Sequence, residues 1–471
     1  MARGLLIENV AEIATLAGGP RRGAAQADAG ILRSSGPGGR SNESSSAGVG
    51  SNRSSTSGSG STSGSSSSSS AGRLAIAVVD GLVHALGPVD EVRRVLERDG
   101  LDQRSLDHID AGGGLVTPGL IDPHTHLLFG GTREAELRLR QRGAGYLEIL
   151  AGGGGILSTV RATRAASEEE LLDHGRRWLR EMLGHGVTTV EAKSGYGLDV
   201  ETELRLLSVA AQLGREGPVE VVPTYLCAHA TPPELRGRAD AADAYVTEVV
   251  QRQLPRAAET GVARFCDVFC EIGVFDAAQS RRVLEAGVRH GLRPRLHADE
   301  LRDSGGAELA ADVGAASADH LGAISDSGIE ALARAAEDGR PVVATLLPAT
   351  TLYLRSAHDA PARRLIDRGV PVALGTDFNP GTSPTANLPL VLSLACIRLG
   401  MSAAEALVAV TANAALALGL EETHGTLEPG RRADLVVWDV PSLELLSYWI
   451  GANLARTVVK GGRVVHQSGV R

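Results

Sequence analysis

The sequence predicts an α/β fold, a TIM-type (β/α)8 barrel, with a small β-sandwich-like domain formed by both chain ends. Three observations predict it. Between residues 119 and 423, eight short apolar runs alternate with helical stretches, the pattern of successive β/α units. All but the seventh run are followed within three residues by His, Asp or Glu, and a closed parallel barrel gathers its functional side chains at those strand ends. Both termini carry further β-like runs that read as pieces of one small unit. A doubly wound sheet is the rival, but no GxGxxG follows the first strand, and eight units suit closure better than an open sheet.

Taken in order, residues 5–7 and 13–16 read as short strands. The composition then turns to Gly, Ser, Asn and Ala, and residues 54–70 contain only Ser, Thr and Gly. Such a segment buries too little apolar area to offset its ordering entropy. Residues 23–72 are therefore expected to be a disordered insertion in a composite β domain of residues 1–22, 73–118 and 424–471. Runs 74–79 and 82–86 flank Asp80-Gly81, a strong hairpin signal. Barrel strands are expected at 115–121, 187–190, 219–226, 264–269, 293–296, 315–318, 341–347 and 371–375. Helices are expected at 168–183, 276–289 and 403–418 among others, and the terminal runs 433–438, 457–459 and 464–465 return to β character.

The totals restrict the function. Of 471 residues 43% are apolar and only 3% aromatic, so the core must be aliphatic. Net charge is −9 with no Lys/Arg stripe interleaved with aromatics, which argues against nucleic acid as partner. Cys227, Cys266, Cys270 and Cys396 form no CxxC pair and lie in or beside apolar runs, as reduced buried thiols do. With no apolar run of about 18 residues and no leader pattern, no membrane partner is expected and the cytoplasm is the default location. A homodimer is compatible with these totals.

The chemistry starts at Asp122-Pro123-His124-Thr125-His126, directly after an apolar strand. Residues two apart in extended chain point to one side, so both imidazoles reach one ion. His297 at the fifth strand end and Asp377 at the eighth supply a third nitrogen and a carboxylate. Three His and one Asp suit one Zn2+ or Fe ion per chain, with a water that ionises near neutral pH completing the shell. Glu300, three residues past His297, has the spacing to move a proton from that water to a leaving nitrogen. His320 is placed to orient the water or stabilise an oxyanion, and with Glu300 and Asp377 it completes the expected catalytic set.

The blocks Asp122-Pro123-His124-Thr125-His126-Leu127-Leu128-Phe129-Gly130-Gly131-Thr132-Arg133-Glu134, Glu191-Ala192-Lys193-Ser194-Gly195-Tyr196-Gly197, Ala228-His229-Ala230, Phe265-Cys266-Asp267-Val268-Phe269-Cys270-Glu271, His297-Ala298-Asp299-Glu300 and Thr376-Asp377-Phe378-Asn379-Pro380-Gly381 together closely resemble the imidazolonepropionase family of the amidohydrolase superfamily. The resemblance spans essentially the whole chain outside the Ser-rich insertion. His-x-His is common to the superfamily, whereas the other blocks in this order are far more specific. The resemblance implies hydrolysis of imidazolone propionate to N-formimidoyl-glutamate in histidine breakdown. It implies the same four metal ligands and adds substrate contacts at Arg133, Tyr196, His229, Glu300, Asn379, Gly381 and Thr382. A small molecule with a carboxylate tail is then the expected partner, and Arg133 has the guanidinium to grip that tail through two hydrogen bonds.

Three other readings stand beside this one. A two-metal hydrolase would need a carboxylated lysine at the end of the fourth strand, where residues 267–271 offer none; Lys193 follows the second strand and reads as structural or pocket-lining. A mononuclear deaminase acting on a cyclic amidine would use the same ligands, but Arg133 and Tyr196 favour a substrate with a carboxylate. An inactive ligand-binding barrel is disfavoured because no expected ligand is missing.

Overall fold

The structure is a computed structural model describing residues 4–34, 72–143 and 154–469. Eight parallel strands form the central sheet: β1 (Leu120–Asp122), β2 (Val187–Lys193), β3 (Glu220–Ala228), β4 (Phe265–Cys270), β5 (Arg293–Ala298), β6 (Ser317–His320), β7 (Val343–Leu346) and β8 (Val372–Leu374). Each pairs with its neighbours in chain order. The ring closes just beyond the strand ends, where Thr125 bridges Phe378; His126 N donates to Phe378 O at 2.9 Å and Asp377 N to His124 O at 3.0 Å. The stitches that close the barrel thus lie in the loops that carry His124, His126 and Asp377. Helices wrap the outside, several started by capping boxes such as Ser167 with Glu170 and Asp276 with Gln279.

Two expected elements are each divided in the structure. The run 115–121 is not one strand, because Leu115–Pro118 pairs with Leu435–Trp438 in an outer sheet and only Leu120–Asp122 enters the barrel. Pro118 and Gly119 mark the passage, with Gly119 N bonded to Asp434 O and Leu120 N to Gly186 O. Both halves are apolar, so hydropathy cannot separate them. The run 403–418 is likewise two helices, Ala403–Ala409 and Ala412–Ala417. Between them Thr411 leaves helical geometry (φ −135°, ψ −92°), while its hydroxyl donates to Leu407 O at 2.6 Å. This break turns Ala414, Ala415 and Leu418 onto Ile121, Val222 and Phe265, plugging the barrel floor.

The chain ends build two further sheets, one of four strands (Leu82–Pro88, Leu74–Val79, Gly4–Val10, Asp107–Asp110) and one of six that includes Leu435–Trp438, Leu115–Pro118 and Glu12–Ala14. Strand alternation sends Leu5 and Ile7 into the core shared with Val116, Leu435 and Val437, and Leu6 onto Val92 and Leu96 of the helix Val89–Arg98. Asp80 and Gly81 make the expected hairpin turn, both at positive φ. Most of the predicted insertion lies outside the described residues, but residues 23–34 are folded, which moves its start. Gly23–Ala27 is a 3-10 turn, and Ile31–Arg33 pairs with Glu12–Ala14. Composition misplaces this stretch because its key polar residue, Gln26, is wholly buried, with its amide held by Val372 N and O. No helix of the described residues is long and apolar enough to cross a membrane.

A clasp joins the barrel floor to the outer sheets. Glu220 at the start of β3 meets His424 Nε2 at 3.0 Å, Arg432 at 3.1 Å and Lys460 at 3.4 Å, while Lys460 also pairs with Asp434 at 2.8 Å. Burial would raise the Glu220 carboxyl, but His424, Lys460 and Arg432 outweigh it and hold it down at about 2, against an ordinary 4.5. A depressed carboxyl stabilises the fold above its unfolded pKa, and that contribution is lost as pH falls from 4.5 towards 2. Glu220→Gln should therefore flatten the fall of Tm across that window; an unchanged profile by scanning calorimetry removes the clasp from acid stability.

Candidate active site

At the C-terminal end of the barrel, four buried side chains from three strand ends converge. His126 Nε2 lies 3.3 Å from His297 Nε2 and 3.4 Å from Asp377 Oδ1, and His124 Nε2 is 3.5 Å from the same oxygen. His124 Nε2 and Asp377 Oδ1 are buried with no hydrogen-bond partner. Ring nitrogens of His124, His126 and His297 lie within 4.8 Å of one another, and so do ligand atoms of His124, His320 and Asp377. Two unpartnered ligand atoms beside a pair of facing imidazole nitrogens fit a divalent cation better than they fit one another.

The backbone at these strand ends is strained. Asp299, His320, Leu321 and Asp377 all have left-handed φ, between 51° and 78°. Non-glycine residues adopt that region only where surroundings impose it, and such strain concentrates at functional sites. Asp299 is held because its carboxylate accepts from Ser304 N, Gly306 N and Ala307 N, which fixes the loop presenting Glu300.

A charged layer beneath the site orients the ligands. His124 Nδ1 donates to Asp319 Oδ2 at 2.7 Å and His297 Nδ1 to Asp267 Oδ1 at 3.1 Å, so both rings turn Nε2 lone pairs to the centre. Lys193 Nζ bonds Asp267 at 2.6 Å and Glu191 at 2.9 Å, and Arg295 reaches Asp319 at 3.2 Å and Pro123 O at 2.8 Å. Burial opposes charge on both aspartates, but Lys193 beside Asp267 and Arg295 beside Asp319 hold them well below the carboxylate range. Burial and Lys193 also oppose charge on His124, yet Asp319 and Asp377 hold its ring up at about 9, so these carboxylates favour a positive charge at its Nε2, which a bound cation would supply in place of a proton. Burial keeps His126 well below its ordinary value and His320 at about 3, so both rings are neutral.

These roles for Glu191, Asp267, Arg295 and Asp319 are absent from the sequence reading, although a signal exists. Charged residues spaced by two inside apolar strands, as in Glu191-Ala192-Lys193 and Arg295-Leu296-His297, mark the face turned into a barrel.

Above the metal-ligand cluster is a pocket lined by Arg133, Tyr196, His229, Glu300, His320 and Thr382 among others. His229 stacks on His126 (4.9 Å, 14°), and its Nδ1 donates to Gly195 O at 3.0 Å. Burial, then His297, lowers the His229 pKa to about 3, leaving a neutral ring with a free Nε2 lone pair. Glu300 Oε2 stands 3.7 Å from His320 Nε2. Burial, then Asp377 and Glu271, raises the Glu300 carboxyl to about 8, a rise that a cation beside it would oppose.

Two expected contacts differ in detail. Arg133 already spends Nε and NH2 on Glu136 Oε2 (3.0 and 2.9 Å), so a substrate meets only its remaining edge. Asn379 donates to Asp377 O and Thr382 Oγ1 and accepts from Gly381 N and Thr382 N, which commits its amide to shaping its own loop. Gly381 is pressed against the Arg133 guanidinium, where a Cβ would overlap it.

A model of the amidohydrolase family matches residues 132–466, beginning just past His126. The chain is 52% identical over 396 residues to an imidazolonepropionase from Geobacillus kaustophilus, covering 84% of this chain and 90% of that one. It is 45% identical over 466 residues to an imidazolonepropionase from Symbiobacterium thermophilum, covering 99% and 98%. Among solved structures it is similar to an adenosine deaminase from Xanthomonas campestris with bound zinc (TM-score 0.65, 18% identity, 98% of this chain and 92% of that one). It is also similar to an ochratoxinase from A. niger (TM-score 0.64, 16% identity, 100% and 97%). At those identities the structural likeness carries the fold alone.

Proposed function

The chain belongs to the imidazolonepropionase family of the amidohydrolase superfamily, and on that premise we propose how its pocket carries out the family's reaction. The enzyme hydrolyses 4-imidazolone-5-propanoate to N-formimidoyl-L-glutamate, a step of histidine degradation. His124, His126, His297 and Asp377 would hold one Zn2+ or Fe ion per chain. When bound, such an ion acidifies water and polarises a carbonyl.

The chain's own residues do the rest. Arg133 binds the propionate through the guanidinium edge beside Gly381, and Asn379 with Thr382 shapes the loop that closes over it. Tyr196 and His229 flank the ring, with the His229 Nε2 lone pair accepting from a ring N–H. His320 stabilises the oxyanion that develops at the carbonyl. Glu300 takes the proton from water and delivers it to the departing nitrogen.

The observation that carries this reading is the pairing of the unanswered ligand atoms with a buried guanidinium in one pocket. The test is to follow imidazolone propionate absorbance with purified, metal-quantified protein. No loss of absorbance, or ammonia release from a cyclic amidine instead, would overturn it. Gly381→Ala should displace Arg133 and raise KM by about tenfold with kcat nearly kept, since it removes binding shared by ground and transition states. An unchanged KM takes Arg133 away from the tail.

Location in the cytoplasm belongs to the proposal, supported by the free thiols Cys266, Cys270 and Cys396. So does assembly as a homodimer, for which the exposed Tyr448, Trp449 and Ile450 offer apolar surface.

A further inference from the structure

Glu203 sits in the first turn of the helix Val200–Glu216, buried to 1% exposure, and its carboxylate's bonds among the described residues go to the loop 194–198 rather than to a metal-ligand candidate. Its Oε2 accepts from Gly195 N at 2.8 Å, and its Oε1 from Gly197 N at 2.7 Å and Leu198 N at 2.8 Å. No cation pairs with it among the described residues. Three backbone N–H groups thus turn inward onto one carboxylate, and the loop 194–198 is folded around it, with Leu198 forced to a left-handed φ of 57°.

A buried carboxylate without a counter-cation is costly, and a merely structural turn does not need one. The arrangement delivers something else. With the N–H groups facing Glu203, the Gly195 carbonyl faces the pocket and accepts from His229 Nδ1. The backbone there presses so close that a Cβ on Gly195 would lie 3.0 Å from that nitrogen. Between the two glycines, Tyr196 is carried to 5.3 Å from the His229 ring and 5.6 Å from the His126 ring.

We propose that Glu203 is a positioning residue for substrate recognition: by holding the loop 194–198 it fixes the Nδ1–H tautomer of His229 and sets Tyr196 beside it. The inference rests on the reading of His229 and Tyr196 as substrate contacts. A ring fixed as Nδ1–H presents its Nε2 only as an acceptor, so the pocket selects a donor N–H on the ligand at that point. Without the clamp the His229 ring is free to present a donor instead, and the substrate then faces an unmatched pair.

Glu203→Gln tests this, since it keeps the volume and turns one acceptor oxygen into an N–H2 facing a backbone N–H. The folded variant should bind metal as before and keep kcat, with KM for 4-imidazolone-5-propanoate raised by about tenfold. Ring 15N shifts of His229, read without substrate, should move from one Nδ1–H tautomer to a mixture. Gly197→Ala attacks the same contact from the other side, because its Cβ would lie 2.9 Å from Glu203 Oε1, and the same two shifts are expected. It decides the matter if the first variant does not fold. An unmoved tautomer in a folded variant, or an Nε2–H tautomer in the wild type, overturns the inference alone. A moved tautomer with unchanged KM overturns the assignment of His229 to the substrate, and the inference with it.

Discussion

Glu300→Gln retains its metal and loses turnover by about 10²- to 10⁴-fold, the usual contribution of a positioned proton carrier. The exchange leaves the supports of the loop intact. Asp299 still caps Gly306 and Ala307, Glu271 still accepts from Leu301 N at 3.0 Å, and the Glu300 carbonyl still packs against Gly322. What disappears is a carboxyl that can carry a proton, and only that. The amide keeps the shape beside His320, so substrate binding should change little and the loss should fall on kcat. Metal analysis together with steady-state rates checks this; unchanged turnover in a metal-loaded variant removes Glu300 from proton transfer.

Chelation should abolish hydrolysis, and one equivalent of zinc or iron per chain should restore it. The pairing of Lys193 opposes its modification to bridge a second ion. Burial opposes charge on Lys193, but Asp267 and Glu191 outweigh it and raise its pKa, so it stays an ammonium with both carboxylates as partners. A requirement for two equivalents would overturn the single-ion site. The layer below gives a graded version of the test. Asp267→Asn or Asp319→Asn unsettles the ring that it orients and should weaken metal binding by about 10- to 100-fold while the ligand atoms remain. Equal metal affinity in these variants would mean that the histidines need no such orientation.

The four side chains that the structure gathers as candidate ligands were legible before the fold because their signal is local. His124 and His126 share one side of an extended segment, and His297 and Asp377 each follow an apolar run that strand periodicity identifies. The barrel was legible for the same reason, since eight alternations of apolar run and helix leave few architectures. Less of the pocket was. Arg133, Tyr196 and His229 emerged from motif likeness, and composition assigned residues 23–34 to the insertion although Gln26 is buried there with its amide bonded.

What the sequence by itself determined is therefore the class of site and the barrel that carries it, since both follow from residue type and periodicity along the chain. Only the tertiary structure decided that residues 115–121 serve two sheets, that Thr411 breaks a helix to plug the floor, that Asp267 and Asp319 hold the rings of His297 and His124, and that Glu203 bonds the loop whose Gly195 carbonyl meets His229. The physical reason is distance along the chain. Asp319 lies 195 residues from the histidine it orients. A hydrogen bond that sets a ring tautomer depends on where closure of the barrel brings two atoms, and no local pattern encodes it.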